Sequence, residues 1–223
     1  SSAGGLPPGG APADGEVEDF AVELASAVTA ASTVITLPPG GGTYSLDVTG
    51  GQFIIQPGAT TIYSAPLASI DSLDIQGGTG DVLNINGGIT VPGTISLLAQ
   101  QINFPASASL LTASGVTLTA LGGAINDSSL ASPSVASPLL SATATAGIVL
   151  GTNVGALTAN VTGSGEVRIS EANELTLTSV TTQNGPVTVS AAGALVAQQV
   201  TSTTDSNTND ISLTATGGNL TIG

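Results

Sequence analysis

From residue 33 onward, apolar and polar residues alternate in short runs that stop at Gly, Pro or Asn. "TVITL", "YSLDV", "QFIIQ", "SLDIQ", "VLNIN", "TISLLAQ", "VTLTA" and "GIVLG" follow one another in this way. Alternation with period two, rich in β-branched residues and bounded by turn formers, predicts β-strands with one face buried. No segment after residue 33 has the 3.6-residue period of a convincing helix. Earlier in the chain, "SSAGGLPPGGAPADG" at 1–15 has the Gly/Pro/Ala composition of a flexible linker. Residues 16–32 are ambiguous. Val17, Phe20, Ala21, Leu24 and Val28 fit a helical stripe, whereas Phe20, Val22 and Leu24 alternate as in a strand. This segment is expected to be an N-terminal cap or first strand, with a short helix as the alternative.

The runs also repeat. Aligning "GIVLG", "GEVRIS", "GPVTVS" and "NDISLTA" puts Ile148, Val167, Val187 and Ile211 in one column, at separations of 19, 20 and 24 residues. Leu157, Leu175, Leu195 and Leu220 form a second column, and Val161, Val180 and Val200 a third. Three columns sharing one period predict three short strands per repeat of about 20 residues, stacked as a solenoid whose every turn relies on its neighbours to cover its apolar face. The expected domain is an all-β parallel β-helix over 33–223, right-handed by the chirality of parallel crossovers. At about 4.8 Å per layer it would have roughly nine turns and a length on the order of 45 Å. Residues following the column positions should point outward, making Arg168, Thr188 and Ser212 equivalent, as are Thr176, Val196 and Thr221. "INDSSLASPSVASP" at 125–138 and "TSTTDSNTND" at 201–210 exceed the period and should bulge from corners.

Composition suits narrow aliphatic layers, because hydrophobic residues are 41% of the 223 but aromatics only 2%. Charged residues are 7%, and 15 acids face a single base, Arg168, for a net charge of -14. With so little to hold phosphate, nucleic acid and anionic lipid surfaces are poor partners, and no apolar run is long enough for a transmembrane helix. Cys, His and Met are absent, so disulfides and thiol chemistry are excluded. A chain of this composition beginning at Ser1 is expected to be a processed or excised piece.

"VTLTALGGAINDSS", "PLLSATATAGIVLGTNVGALTANV" and "GEVRISEANELTLTSVTTQNGPVTVSAAGALVAQQV" resemble the repeats of filamentous-haemagglutinin-like and related giant bacterial surface proteins. "SLDVTGGQFIIQ" and "IDSLDIQGGTGDVLNINGG" are similar to segments that precede such repeats. The resemblance spans about residues 40 to 223. It implies an exported right-handed parallel β-helix acting in adhesion, matrix or envelope coats. The chain departs from that pattern in having neither an Asn-Pro-rich secretion domain nor a C-terminal membrane barrel.

Chemistry is sparse. Without His, Cys or Lys, general acid-base work would fall to carboxylates. The closest pairs are Asp71/Asp74 and Glu171/Glu174, expected to be solvated acids on the outer face rather than a glycosidase pair. Arg168 is expected to form a surface ion pair with Glu166 or Glu171. Calcium wants several oxygens on a turn. "DSNTND" offers Asp205, Asn207, Asn209 and Asp210, but Asp210 stands where such a loop needs Gly. "GGTGDVLNI" offers Asp81, one residue early for the nonapeptide of calcium-binding β-rolls. No cofactor is expected, plain turns being the reading at both places and calcium the alternative. Asn126, Asn160 and Asn219 open glycosylation sequons. A Thr-x-Thr ice-binding array is disfavoured because Val196 interrupts the Thr column. Asn219, Leu220, Thr221 and Ile222 read as an ordinary repeat strand rather than a polar cap, so they are expected to form an open edge for another copy or for adjoining repeats of a longer chain. The expected function is a non-catalytic extracellular structural or adhesive surface protein, secreted or on a bacterial cell surface, with cell-surface or matrix glycans as further partners. The alternative is a carbohydrate-binding or polysaccharide-cleaving β-helix.

Overall fold

The computed structural model describes residues 30–105, 109–204 and 206–223; the linker expected at 1–15, the segment 16–29 and Asp205 lie outside them. The described residues form one 21-stranded sheet wound into a β-solenoid of about seven turns. They contain no α-helix, and a single 3-10 turn spans Leu67–Ser69. Every run named above lies on strand residues for most of its length.

Stacking in parallel register builds the core. One inward column runs Tyr44, Leu83, Ile102, Ile125, Ile148, Val167, Val187 and Ile211. On another wall, Ile35, Ile75, Leu97, Leu118, Ala142, Ala159, Val180 and Val200 stack in order. Beside it run Leu73, Ile95, Val116, Leu140, Leu157, Leu177, Ala197 and Ile222. Away from the ends these side chains are almost wholly buried and form one continuous aliphatic cluster. Arg168, Thr188 and Ser212 share one outward register and are exposed, as the pattern predicted.

The first predicted column is reproduced in full. The second and third shift at their first member. Leu157 pairs with Leu177 rather than Leu175, Ala159 with Val180, and Val161 with Thr182. The cause is local. Ile148–Ser164 is a single strand that passes its corner without a break, whereas the next layer interrupts itself at Ala172, Asn173 and Glu174 and then bulges after Leu177. The same aliphatic alternation fits either register, and the corner decides.

The front of the chain departs most from a uniform solenoid. Ile35 pairs with Ile75, 40 residues on, although the following step from Ile75 to Leu97 is only 22. Between them Thr43–Thr49, Gln52–Pro57 and Tyr63–Pro66 form an antiparallel meander. Gly50 and Gly51, at φ 59° and 77°, make the two-residue turn that requires positive φ at both positions. Thr43–Thr49 pairs on its other edge with Val82–Ile85, so the meander extends the sheet beyond the first solenoid layer. Phe53 and Ile55 are fully buried there, and the Phe53 and Tyr63 rings lie 6.0 Å apart, tilted. This excursion, with the two corner insertions, uses the chain that would otherwise have made the expected nine turns, and at about 4.8 Å per layer seven turns span about 34 Å.

At the opposite end, Ile211, Leu220 and Ile222 occupy the columns of buried Val187, Leu195 and Ala197, yet are 46%, 44% and 65% exposed. No described layer follows to cover them.

Candidate functional site

Three acidic residues sit inside the solenoid, where aliphatic side chains are the rule. Glu171 occupies an inward column between Thr152 and Ala191 and is 3% exposed. The expectation of an outer-face Glu171/Glu174 pair is therefore corrected: Glu174 is exposed and Glu171 is internal. Strand alternation predicts that inward placement once the register from Val167 through Ile169 to Glu171 is followed. The Glu171 carboxylate accepts the backbone N–H groups of Val154 and Asn173, each at 3.0 Å. The Thr152 hydroxyl beside it is buried without a partner. Glu171 is equally out of reach of Arg168, and among the described residues Arg168 has no ion pair; its guanidinium is exposed between the Val149 and Thr188 registers.

Asp127 was not singled out by sequence reasoning, although it follows the inward Ile125 by two residues. It stacks on Phe104 and is 4% exposed. Its carboxylate accepts the Ser134 hydroxyl at 2.8 Å and the N–H groups of Ser129 and Gly151 at 2.8 and 3.0 Å. The 125–138 insertion does bulge, and Asp127 fastens it.

Asp81 is the third, 3% exposed at the corner leading into Val82–Ile85. One of its oxygens, Oδ2, accepts the Gly78 N–H at 2.6 Å. The other, Oδ1, is buried with no hydrogen-bond partner. Tyr44, stacked on Leu83, is buried nearby, and its phenol is held above the ordinary tyrosine pKa by burial and then by the Asp81 charge.

The remaining candidates do not converge. Asp71 accepts the Ser72 hydroxyl at 3.1 Å, and Asp74 accepts the Gln76 side-chain amide at 2.9 Å. Asn207 and Asp210 are exposed in the 201–210 loop, while Asn209 donates its amide to Asn184 Oδ1 at 3.1 Å and to the Thr204 carbonyl at 2.8 Å, closing the loop on the layer below. Among the described residues no three acidic side chains gather as metal ligands. Asn126, Asn160 and Asn219 are exposed. Val196 follows Leu139, Ala156 and Thr176 in the outward column two residues before the one in which Thr117 stacks on Ser141 and Thr158, while Thr119 stacks on Thr143 and Asn160.

A groove of about 680 Å³ follows one corner through successive layers, lined by Asn153, Asn173, Glu174 and small residues such as Ala192, Gly193 and Gly217. The Asn173 amide donates to Asn153 at 2.8 Å, one layer to the next. Bare backbone opens this groove. A Cβ at Gly193 would meet the Glu174 nitrogen at 2.7 Å, so the corners can stack only with little or no side chain. No family model, curated protein or solved structure matches the chain.

Proposed function

We propose that this chain is a non-catalytic structural or adhesive module of an extracellular surface protein, secreted or displayed on a bacterial cell surface, in which a right-handed β-helix of about 20 residues per turn serves as a rigid spacer, coat or fibre element. The observation that carries this reading is the continuity of the inward columns from Ile35 and Tyr44 to Val200 and Ile211, with the same aliphatic positions left exposed on the last layer. Layers joined by unbroken parallel ladders and a common core resist bending. An exposed final layer accepts another β-layer, either from adjoining repeats of a longer chain or from a second copy.

The outward acids support a structural role over a glycan-cleaving one. Asp47, Asp74, Glu174 and Asp210 lie on different layers instead of facing one cleft. Glycan adhesion is the second reading, favoured by the corner groove with its stacked amides at Asn153 and Asn173.

Light scattering over a concentration series, followed by electron microscopy, tests the proposal. Fibres or end-to-end pairs that vanish in Ile222→Lys identify a self-assembling element joined at residues 219–222. Isolated rods about 34 Å long at all concentrations identify a spacer module of a longer chain. Turnover of any polysaccharide by the purified chain would overturn the non-catalytic reading.

A further inference from the structure

At two places in the chain a glycine directly follows an asparagine, Asn86–Gly87 and Asn184–Gly185. In such a pair the glycine backbone nitrogen can close onto the side-chain carbonyl carbon of the asparagine, because the glycine carries no side chain to obstruct it. Asn86 and Gly87 make the corner between Val82–Ile85 and Gly88–Thr90. Asn86 is exposed, and among the described residues neither its side-chain amide nor the Gly87 N–H has a hydrogen-bond partner. The Asn86 backbone N–H donates to the Leu46 carbonyl at 2.9 Å, so the corner is tied on the side away from the two reacting groups. Gly87 is a glycine by necessity, since a Cβ there would run into the Asp47 carboxylate and lie 3.0 Å from the Val48 nitrogen.

The second pair is clamped. Asn184 Oδ1 accepts the Asn209 side-chain amide at 3.1 Å, and the Asn184 backbone carbonyl accepts the Gly165 N–H at 3.1 Å. The Gly185 carbonyl accepts the Thr182 hydroxyl at 2.6 Å and the Ser202 hydroxyl at 3.2 Å. Gly185 is buried, and it lies so close to the layer before it that a Cβ would collide with the Gly165 carbonyl. Turning the Asn184 amide onto the Gly185 nitrogen requires these contacts to open first, which makes that pair reactive only through local unfolding.

We propose that Asn86 is a site of spontaneous self-modification, converted to aspartate and isoaspartate through a cyclic imide formed with Gly87. The Gly87 nitrogen gives its proton to hydroxide and bonds to the Asn86 side-chain carbonyl carbon. That carbon's bond to the amide nitrogen breaks, and the nitrogen leaves as ammonia with a proton from water. Water then opens the imide. Opening at the side-chain carbonyl gives aspartate, and opening at the backbone carbonyl gives isoaspartate, whose main chain runs through the side chain. Overall one water is consumed and one ammonia released, with no change of oxidation state. The site lies at a joint of the fold. Continuing the Leu46–Ile85 register by one residue brings Asp47 beside Asn86, so either product sets a second carboxylate next to Asp47. Like charges side by side weaken the pairing of Thr43–Thr49 with Val82–Ile85, and isoaspartate also lengthens the corner. The modification therefore loosens the antiparallel meander from the solenoid as the protein ages.

The test uses the full 223-residue chain, incubated folded in mildly alkaline buffer and, in parallel, unfolded in urea. Samples taken over time are digested with a protease that cuts beside acidic residues, and fragment masses locate each conversion of amide to acid. In the folded chain Asn86 should convert at least about tenfold faster than Asn184, because only Asn184 waits on local opening. In urea the two should react at similar rates. The folded rate at Asn86 should rise with pH, since the Gly87 nitrogen attacks after losing its proton. An Asn86 that stays intact in the folded chain while the unfolded chain converts overturns the proposal, as does an Asn184 that keeps pace with it. The consequence for the joint is read in Asn86→Asp, where hydrogen exchange at Asp47 and Val48 should be faster than in the wild type and exchange at 167–200 unchanged. Equal exchange at Asp47 and Val48 in the two proteins would show that the new charge does not loosen the meander.

Discussion

Glu171 reaches from its own layer to the one before it, where its Oε2 accepts the backbone N–H of Val154 at 3.0 Å, inside the solenoid. The other oxygen turns back to the Asn173 N–H, also at 3.0 Å. One side chain therefore pins the corner where the unbroken strand Ile148–Ser164 and its interrupted successor part company. Glu171→Ala leaves the Val154 N–H buried without an acceptor and should cost about 1–3 kcal/mol in a denaturant melt. Thr152→Val, which removes an orphaned buried hydroxyl while keeping its shape, should be neutral or raise stability by up to about 1 kcal/mol.

Asp127 holds the 125–138 insertion through three hydrogen bonds, two from backbone and one from Ser134. Asp127→Ala should release the insertion before it harms the rest of the rod. Hydrogen exchange should accelerate at 128–134 and at Gly151, with the 167–200 layers unchanged. Ser134→Ala, which deletes one of the three bonds, should cost about 1 kcal/mol.

The antiparallel meander depends on its glycine turn. Gly50→Asn should be tolerated, since Asn reaches positive φ, whereas Gly51→Val places a β-branched residue at φ 77° and should cost about 1–3 kcal/mol. A thermal melt that treats the two substitutions alike would contradict the turn geometry.

Tyr44 predicts an alkaline response. Its folded pKa is raised by burial and by Asp81, so the folded state keeps the phenolic proton more tightly than the unfolded chain. Stability from this group is complete below the unfolded tyrosine value of about 10 and is lost as pH rises from there through the folded value. In urea melts above about pH 10 the wild type should lose stability faster than Tyr44→Phe. Parallel slopes for the two would argue against the effect.

Much of this architecture was legible in the chain. The column Ile148, Val167, Val187 and Ile211 appears at its true spacing because each member opens a strand within two residues of a Gly, Pro or Asp. Leu157 and Val161 pair with other residues than the spacing predicts, because Leu175 and Leu177 carry the same alternation and either could sit under Leu157, and the bulge after Leu177 then shifts the later pairs by one more residue. The Gly-Gly pair between "SLDVT" and "QFIIQ" was the available signal for a hairpin, overlooked because its strands carry the same pattern as solenoid strands. Asp127 and Glu171 were hidden for a related reason. Acids are expected outside, and only the count of residues from the preceding Ile or Val reveals that they face in.

By itself the amino-acid sequence determined the class of structure: alternation makes strands, a recurring period stacks them in parallel, and the shortage of aromatic and charged residues confines the interior to narrow aliphatic layers. Tertiary structure alone decided which turn lies on which, where the chain reverses direction at the front, and which carboxylates are drawn inside. The physical reason is that alternation specifies a face but not a neighbour. Register is settled at the corners, where a glycine, a bulge or a buried carboxylate with its bonded N–H groups determines how one layer meets the next.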